Sequence, residues 1–135
     1  MSVRYVNPEG VHTPAGQYSH VAVATPGRFA FVSGQVAIDP AGEMVGDDVE
    51  VQFRQVFANL VANLAGVGAS PTDVVELKTY LVGEENLAWL REARQAVFAE
   101  HYPDGSYPPS TLLIVSGLAD PRLKVEVSAI ARIPD

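Results

Sequence analysis

The period at which apolar residues recur changes along this chain, and that change limits the folds open to it more than any other feature. In the stretch LKVEVSAIA, residues 123–131, Leu123, Val125, Val127, Ala129 and Ala131 fall on one side and Lys124, Glu126, Ser128 and Ile130 on the other. A period of two belongs to a half-buried strand. Between residues 53 and 64 the spacing differs. Phe53, Val56, Phe57, Leu60, Val61 and Leu64 fall at i, i+3, i+4, i+7, i+8 and i+11, which is one face of a helix. A chain carrying both periods must pack helix on sheet.

The remaining segments extend this reading. The β-rich runs YSHVAVAT and RFAFVSGQVAI are joined by Pro26-Gly27, a pair suited to the centre of a tight turn. Asp47 or Asp48 can cap the first helix, and Gly66 or Gly68 can end it. ASPTD offers one short turn at a Ser-Pro start, and VVELKTYLV alternates with Val75, Leu77, Thr79 and Leu81 on one side. A second helix is expected over residues 84–100, with Leu87, Leu90, Ala93, Val97 and Phe98 on its buried stripe. HYPDGSYPP is a loop and STLLIVSGL a short apolar strand. The order β-β-β-helix-β-helix-β-β predicts one α+β domain over residues 1–135, a mixed sheet with both helices on one face. The other face carries many apolar residues for a wet surface, so association is expected.

Charge and residue types narrow the function. Nine Lys and Arg against sixteen Asp and Glu leave a net charge of −7, with no basic run. Nucleic-acid binding draws its affinity from cations on phosphates, so no nucleic-acid partner is expected. With no cysteine, disulfides, thiolate nucleophiles and Cys-ligated zinc are excluded. His12, His20 and His101 show no metal spacing, and no phosphate loop is present, so neither metal nor cofactor is expected. Acidic clusters at residues 47–50 and 84–85 suit helix starts without further purpose. No segment approaches ~20 consecutive apolar residues, so a cytoplasmic protein without membrane contact is expected.

Ser33-Gly34-Gln35 breaks an otherwise apolar strand. Glycine there marks a bulge or the close approach of a ligand or another backbone. Tyr18, just after a glycine, is an edge aromatic or a lid over a cleft. Glu126, on the polar side of the last strand, is a solvated carboxylate or the acid of a site.

Taken together, GQYSHVAV, FVSGQVAIDPAG, VQFRQVFANLVANLAGVGASPTDVVELKTYLV, YPPSTLLIVSGL and LKVEVSAIA resemble, in order and spacing, the RidA/YjgF family over residues 14–132. The combination of SGQ, Gln52 followed by Asn59-Leu60, and a terminal VEVSAIA carries the likeness. The resemblance implies a chorismate-mutase-like α+β fold with a six-stranded mixed sheet, a homotrimer, and a small-molecule cleft at each subunit interface. Studied members hydrolyse reactive enamines and imines to 2-keto acids and ammonia. It implies Glu126 as the catalytic residue, with Tyr18, Ser33 and Gly34 binding substrate. Ser110 and Thr111 occupy the stretch where deaminating members carry a substrate-binding arginine, and the arginine position itself is Ser110. Leu112 and Arg91 replace a frequent cysteine and asparagine. Arg91 either restores a positive charge from another wall or is a solvated helical arginine. The implied ligand is small and less anionic than a 2-imino acid, with turnover or a non-catalytic metabolite-binding trimer as the two readings. The ribonuclease or translation-inhibitor activity attached to some relatives fits a charge of −7 least.

Overall fold

The computed structural model describes residues 2–135. Helix α1 (Val49–Gly66) begins where Asp48 Oδ accepts the Glu50 N–H at 2.8 Å, satisfying a donor the first turn leaves free. It ends at Gly68, whose φ of 82° admits two closing bonds: Gly68 N–H to Ala65 O and Ala69 N–H to Leu64 O. Its stripe of Phe53, Val56, Phe57, Leu60 and Leu64 is buried, and Val61 packs at the margin. Helix α2 (Leu87–His101) starts three residues later than the sequence suggests, because Glu84–Asn86 forms a 3-10 turn first. Leu90, Ala93, Val97 and Phe98 are buried on it, with Leu87 partly so.

Six strands accompany the helices: β1 (Val3–Val6), β2 (Val21–Ala24), β3 (Phe29–Gln35), β4 (Val74–Val82), β5 (Ser110–Val115) and β6 (Val125–Arg132). The order and the α+β class agree with the periodicity, but one six-stranded sheet does not form. Strands β3-β6-β4-β5 make a four-stranded sheet, and β1 and β2 pair as a separate antiparallel ribbon. The sheet is mixed: β6 is antiparallel to β3 and β4, while β5 runs parallel to β4 after the α2 crossover. The break lies at the β2–β3 corner. Arg132, fully buried at the end of β6, donates to Thr25 O at 3.1 Å, to Thr25 Oγ1 at 2.9 Å and to Pro26 O. The guanidinium thus satisfies the carbonyls of the turn between β2 and β3. Gly27 is the residue that permits it, since a β-carbon there would overlap the Arg132 guanidinium.

A second correction concerns β4. Leu77, Thr79 and Leu81 face the core as the alternation predicts, but the register shifts between Val74 and Glu76. Val74, not Val75, is therefore buried. The core fills the space between the helices and one sheet face, with Phe53, Phe57 and Leu60 against Leu77, Leu81, Val127, Ala129 and Ala131. Phe57 meets Phe98 of α2 at 5.5 Å between ring centres. Burying each such side chain contributes roughly 1.5–3 kcal/mol.

Two amides on α1 latch this layer to the loops around it. Gln52, fully buried, donates to Gly46 O at 2.7 Å and Arg122 O at 3.0 Å, and accepts the Lys124 N–H at 2.8 Å. Asn59 donates to Val36 O at 3.0 Å and Ile38 O at 2.8 Å, and accepts from Gln55 at 2.8 Å. Gln52 and Asn59 are the polar pair in the motif read from the sequence, and both hold backbone. Gln52→Ala strands two acceptors and a donor beside the core. We expect a loss of about 3 kcal/mol, taking unsatisfied buried groups as dominant. Urea unfolding at fixed protein concentration checks it, as a lower midpoint at unchanged slope.

Candidate functional site

The Ser33-Gly34 irregularity is a bulge and a close approach at once. Val32 lies opposite Ala129 and Gln35 opposite Val127, so β3 uses three steps where β6 uses two. The extra residue opens the backbone at Gly34, and the Glu126 carboxylate fills the opening. A β-carbon on Gly34 would overlap Glu126 Oε2. Alternation along β6 buries Val125 and Val127 toward the helices, which turns Glu126 to the opposite face, paired across the ladder with Tyr80 of β4. Ser33 is exposed beside it, and its carbonyl accepts from Gln35 Nε2 at 3.0 Å. Among the described residues, nothing donates a hydrogen bond to the Glu126 carboxylate and no cation pairs with it. A half-buried, unpartnered carboxylate on a rigid strand can accept a proton from water or receive a donor from a ligand.

Tyr18 and Arg91 lie elsewhere on the chain, in a cleft of about 680 Å³ formed by Ala15, Gly16, Gln17, Tyr18, Arg91, Arg94 and Gln95. Three contacts hold the loop carrying Tyr18 in place. Gln17 Nε2 donates to Gln95 O at 3.5 Å and to Tyr107 Oη at 3.4 Å, and Ser19 N–H donates to Pro108 O at 3.4 Å. The Tyr18 hydroxyl is bonded to His12 Nε2 at 3.2 Å and accepts the Ala15 N–H at 3.4 Å, while its ring meets His20 edge-on. His12 and His20 are thus part of an aromatic cluster that orients Tyr18.

Arg94 escaped the sequence reading. Its guanidinium sits 5.9 Å from the Phe98 ring centre, and its Nε is buried with no hydrogen-bond partner. Burial lowers its pKa from the usual arginine value, and the charge of Arg91 lowers it further. The one available signal was spacing: Arg91 and Arg94 stand at i and i+3 and share a helix face.

Ser110 and Thr111 open β5, opposite Leu77 and Lys78. Ser110 therefore shares the helix-side parity of Leu77, whereas Thr111 shares the open face with Lys78 and Ser128. Two strand spacings and three residues separate Ser110 from Glu126, roughly 14 Å between Cα atoms. The seven residues singled out in the sequence do not converge in one chain. Ser33, Gly34 and Glu126 form one group; Tyr18 and Arg91 form another, with Ser110 two residues past its Pro108 anchor; Thr111 stands alone on the open face. A further cleft of about 540 Å³, between the β1–β2 ribbon and the Tyr102–Ser106 loop, contains none of them.

Only the tip of a flexible glutamate blocks a methyl group at Gly34. Gly34→Ala is expected to cost no more than about 1 kcal/mol, the scale of a rotamer change. It should also swing the Glu126 carboxylate away from the bulge. Urea unfolding measures the first effect and a crystal structure of the variant the second. A carboxylate left in place with the strand displaced would contradict it.

No helix among the described residues is long and apolar enough to cross a membrane. Residues 10–133 match the model of the family described as endoribonuclease L-PSP. A RutC family protein of Pyrococcus horikoshii is 37% identical over 124 residues, covering 91% of this chain and 92% of the relative. The solved structure of YyfB, from the conserved Rid protein family of Yersinia pestis, superposes with a TM-score of 0.87 at 35% identity, covering 98% of this chain and all of that one. Escherichia coli TdcF, which carries the provisional name of reactive intermediate deaminase, is 28% identical over 105 residues, or 78% of this chain and 79% of TdcF. Its structure with bound serine gives a TM-score of 0.72 at 25% identity, over 97% and 99% of the two chains. A match across nearly the whole chain and in the same fold means that this protein belongs to the endoribonuclease L-PSP family, the Rid and RutC proteins.

Proposed function

We propose that this chain assembles as a homotrimer whose inter-subunit clefts hydrolyse the C=N bond of a small imine, enamine or related metabolite in the cytoplasm. The observation that carries the reading is the Glu126 carboxylate, unpartnered and seated against the Gly34 bulge. A second copy supports it, because the Tyr18–Arg91 cleft and the Glu126 group lie apart in one chain. The open sheet face also favours a partner: Phe31 is 78% exposed and Leu113 50% exposed.

In this reading Glu126 orients a water and accepts its proton as the oxygen adds to the imine carbon. That proton passes to nitrogen to give a carbinolamine, whose hydroxyl proton is then transferred to the same nitrogen as the C–N bond breaks, so that ammonia leaves and the C=O bond forms. Ser33 and the bulge backbone hold the substrate, facing Tyr18, Arg91, Ser110 and Thr111 from the neighbouring copy. Ser110 cannot supply the bidentate cation that deaminating relatives use there, a bond worth ~1.5–3 kcal/mol. That substitution favours a second reading, a metabolite-binding trimer without turnover. Ribonuclease activity is disfavoured by the net charge of −7 and the scattered basic residues.

Light scattering behind size exclusion should report three times the 14.4 kDa chain mass. A folded monomer at working concentration would remove the interfacial cleft. Ammonia release should be followed from a panel of freshly generated imines, with the uncatalysed rate subtracted. Glu126→Gln should slow it by at least about 100-fold, the ordinary contribution of a positioned base. No release above background from any imine would leave the binding trimer as the reading.

A further inference from the structure

The hydroxyl of Tyr18 is tied to a side chain that titrates. Its oxygen accepts the Ala15 N–H at 3.4 Å and meets His12 Nε2 at 3.2 Å, and both bonds are exposed. The His12 carbonyl in turn accepts from His20 Nε2 at 2.7 Å, and the two imidazole rings meet edge-on, 4.8 Å apart. His20 is anchored through its N–H, which donates to Asn7 Oδ1 at 2.8 Å. Both histidines therefore hold the Tyr18 loop, but their bonds respond to charge differently. A carbonyl only accepts, so His20 Nε2 carries a proton whether that ring is neutral or charged. A hydroxyl both donates and accepts, so the bond between Tyr18 and His12 can run in either direction.

The charge on His12 sets that direction. Against a neutral imidazole, the phenol is the more acidic donor and the ring nitrogen the more basic acceptor, so Tyr18 O–H donates to His12 Nε2. The one proton of the hydroxyl is then spent inside the loop, and only a lone pair is left for the cleft. A charged His12 carries a proton on Nε2 and cannot accept. It donates to Tyr18 Oη, the Ala15 N–H takes the second lone pair, and the hydroxyl proton turns outward. The added proton comes from solvent and stays on His12, and Tyr18 does not ionise. Histidine is the side chain that changes charge between about pH 5 and 8.

We propose that His12 is a positioning residue that switches Tyr18 from hydrogen-bond acceptor to donor toward the cleft, so that the site holds an accepting group more strongly on the acid side of the histidine range. The nitrogen lone pair of an imine is such a group, and a donor there draws electrons from the C=N bond as water adds. The inference rests on the reading of Tyr18 as part of the substrate cleft and adds the regulation of that site. The charged groups that α2 brings to the same cleft are Arg91 and Arg94, and arginine does not titrate in this range. Among the described residues no carboxylate forms an ion pair with His12 or His20. Charging His20 leaves its bond to the carbonyl in place, so the reversal belongs to His12.

Nuclear magnetic resonance of the assembled protein, labelled with ¹⁵N in histidine and ¹³C at tyrosine Cζ, reads the switch with no ligand present. Above about pH 8 the neutral His12 ring should carry its proton on Nδ1 and the His20 ring on Nε2. As the pH falls, the Tyr18 Cζ signal should move with the midpoint of His12, and His12→Gln should remove that inflection. A neutral His12 protonated at Nε2, or a Tyr18 signal that does not follow His12, overturns the proposal. Kinetics then checks the consequence. The ratio of ammonia-release rates, wild type over His12→Gln, should rise roughly threefold to tenfold as the pH falls through that midpoint, the worth of one ordinary hydrogen bond. His12→Lys, which only donates, should hold the higher rate above neutral pH. In a Tyr18→Phe background, His12→Gln should have no pH-dependent effect. A ratio that is the same at every pH would mean that His12 only supports the loop, and would overturn the proposal. A Tyr18 signal that follows His12 in a protein that releases no ammonia sinks the proposed reaction alone.

Discussion

Strand β6 is hydrogen-bonded along both edges, to β3 and to β4, and the rest of the molecule takes its position from those two ladders. Its inner side chains, Val125, Val127, Ala129 and Ala131, form the floor on which α1 and α2 pack. Its outer side chains include Glu126. Because successive residues of a strand point to opposite faces, the burial that stabilises the inner row also dictates where the carboxylate points. A slip of one residue would bury Glu126 and expose the valines, at a cost far beyond a domain's marginal stability. The orientation of Glu126 and the packing of the core are therefore the same constraint.

Polar groups hold that arrangement at its edges. Gln52 and Asn59 each take part in three hydrogen bonds from α1, and Arg132 satisfies the carbonyls at the β2–β3 corner. Each replaces backbone pairing that irregular segments cannot make for themselves. The Arg132 contact lies at the corner between the β1–β2 ribbon and the main sheet. Glycine works in concert with these groups at two points, Gly27 against Arg132 and Gly34 against Glu126, where a β-carbon would collide with a charged side chain.

The charges of the molecule divide in an informative way. Most formal cations sit beside carboxylates or in water, whereas Arg91 and Arg94 face a cleft together, with Arg94 partly desolvated. Glu126 is the converse, an anion without a cation. Complementary charges left unpaired on separate parts of one chain are what the proposed assembly would bring together.

The sequence alone determined the strand and helix periods, a cap for α1 at Asp47 or Asp48, an exit at Gly66 or Gly68 and the face on which Glu126 lies, and the structure chose Asp48 and Gly68. All of these depend on residues a few positions apart. It also made Gly34 conspicuous, because a glycine inside an apolar strand has few explanations. Tertiary structure alone decided the Val74–Glu76 register shift and the division into a four-stranded sheet and a two-stranded ribbon, since both depend on pairings between strands far apart in the chain. It alone showed Arg94 to be without an acceptor, because an i, i+3 pair of arginines looks the same in sequence whether water or a cleft receives it. It also separated Ser110 from Glu126, because strand order and side-chain parity across β5, β4 and β6 are set by long-range pairing. Short-range spacing records which way a side chain points along its own element; what it meets there depends on segments that only folding brings together.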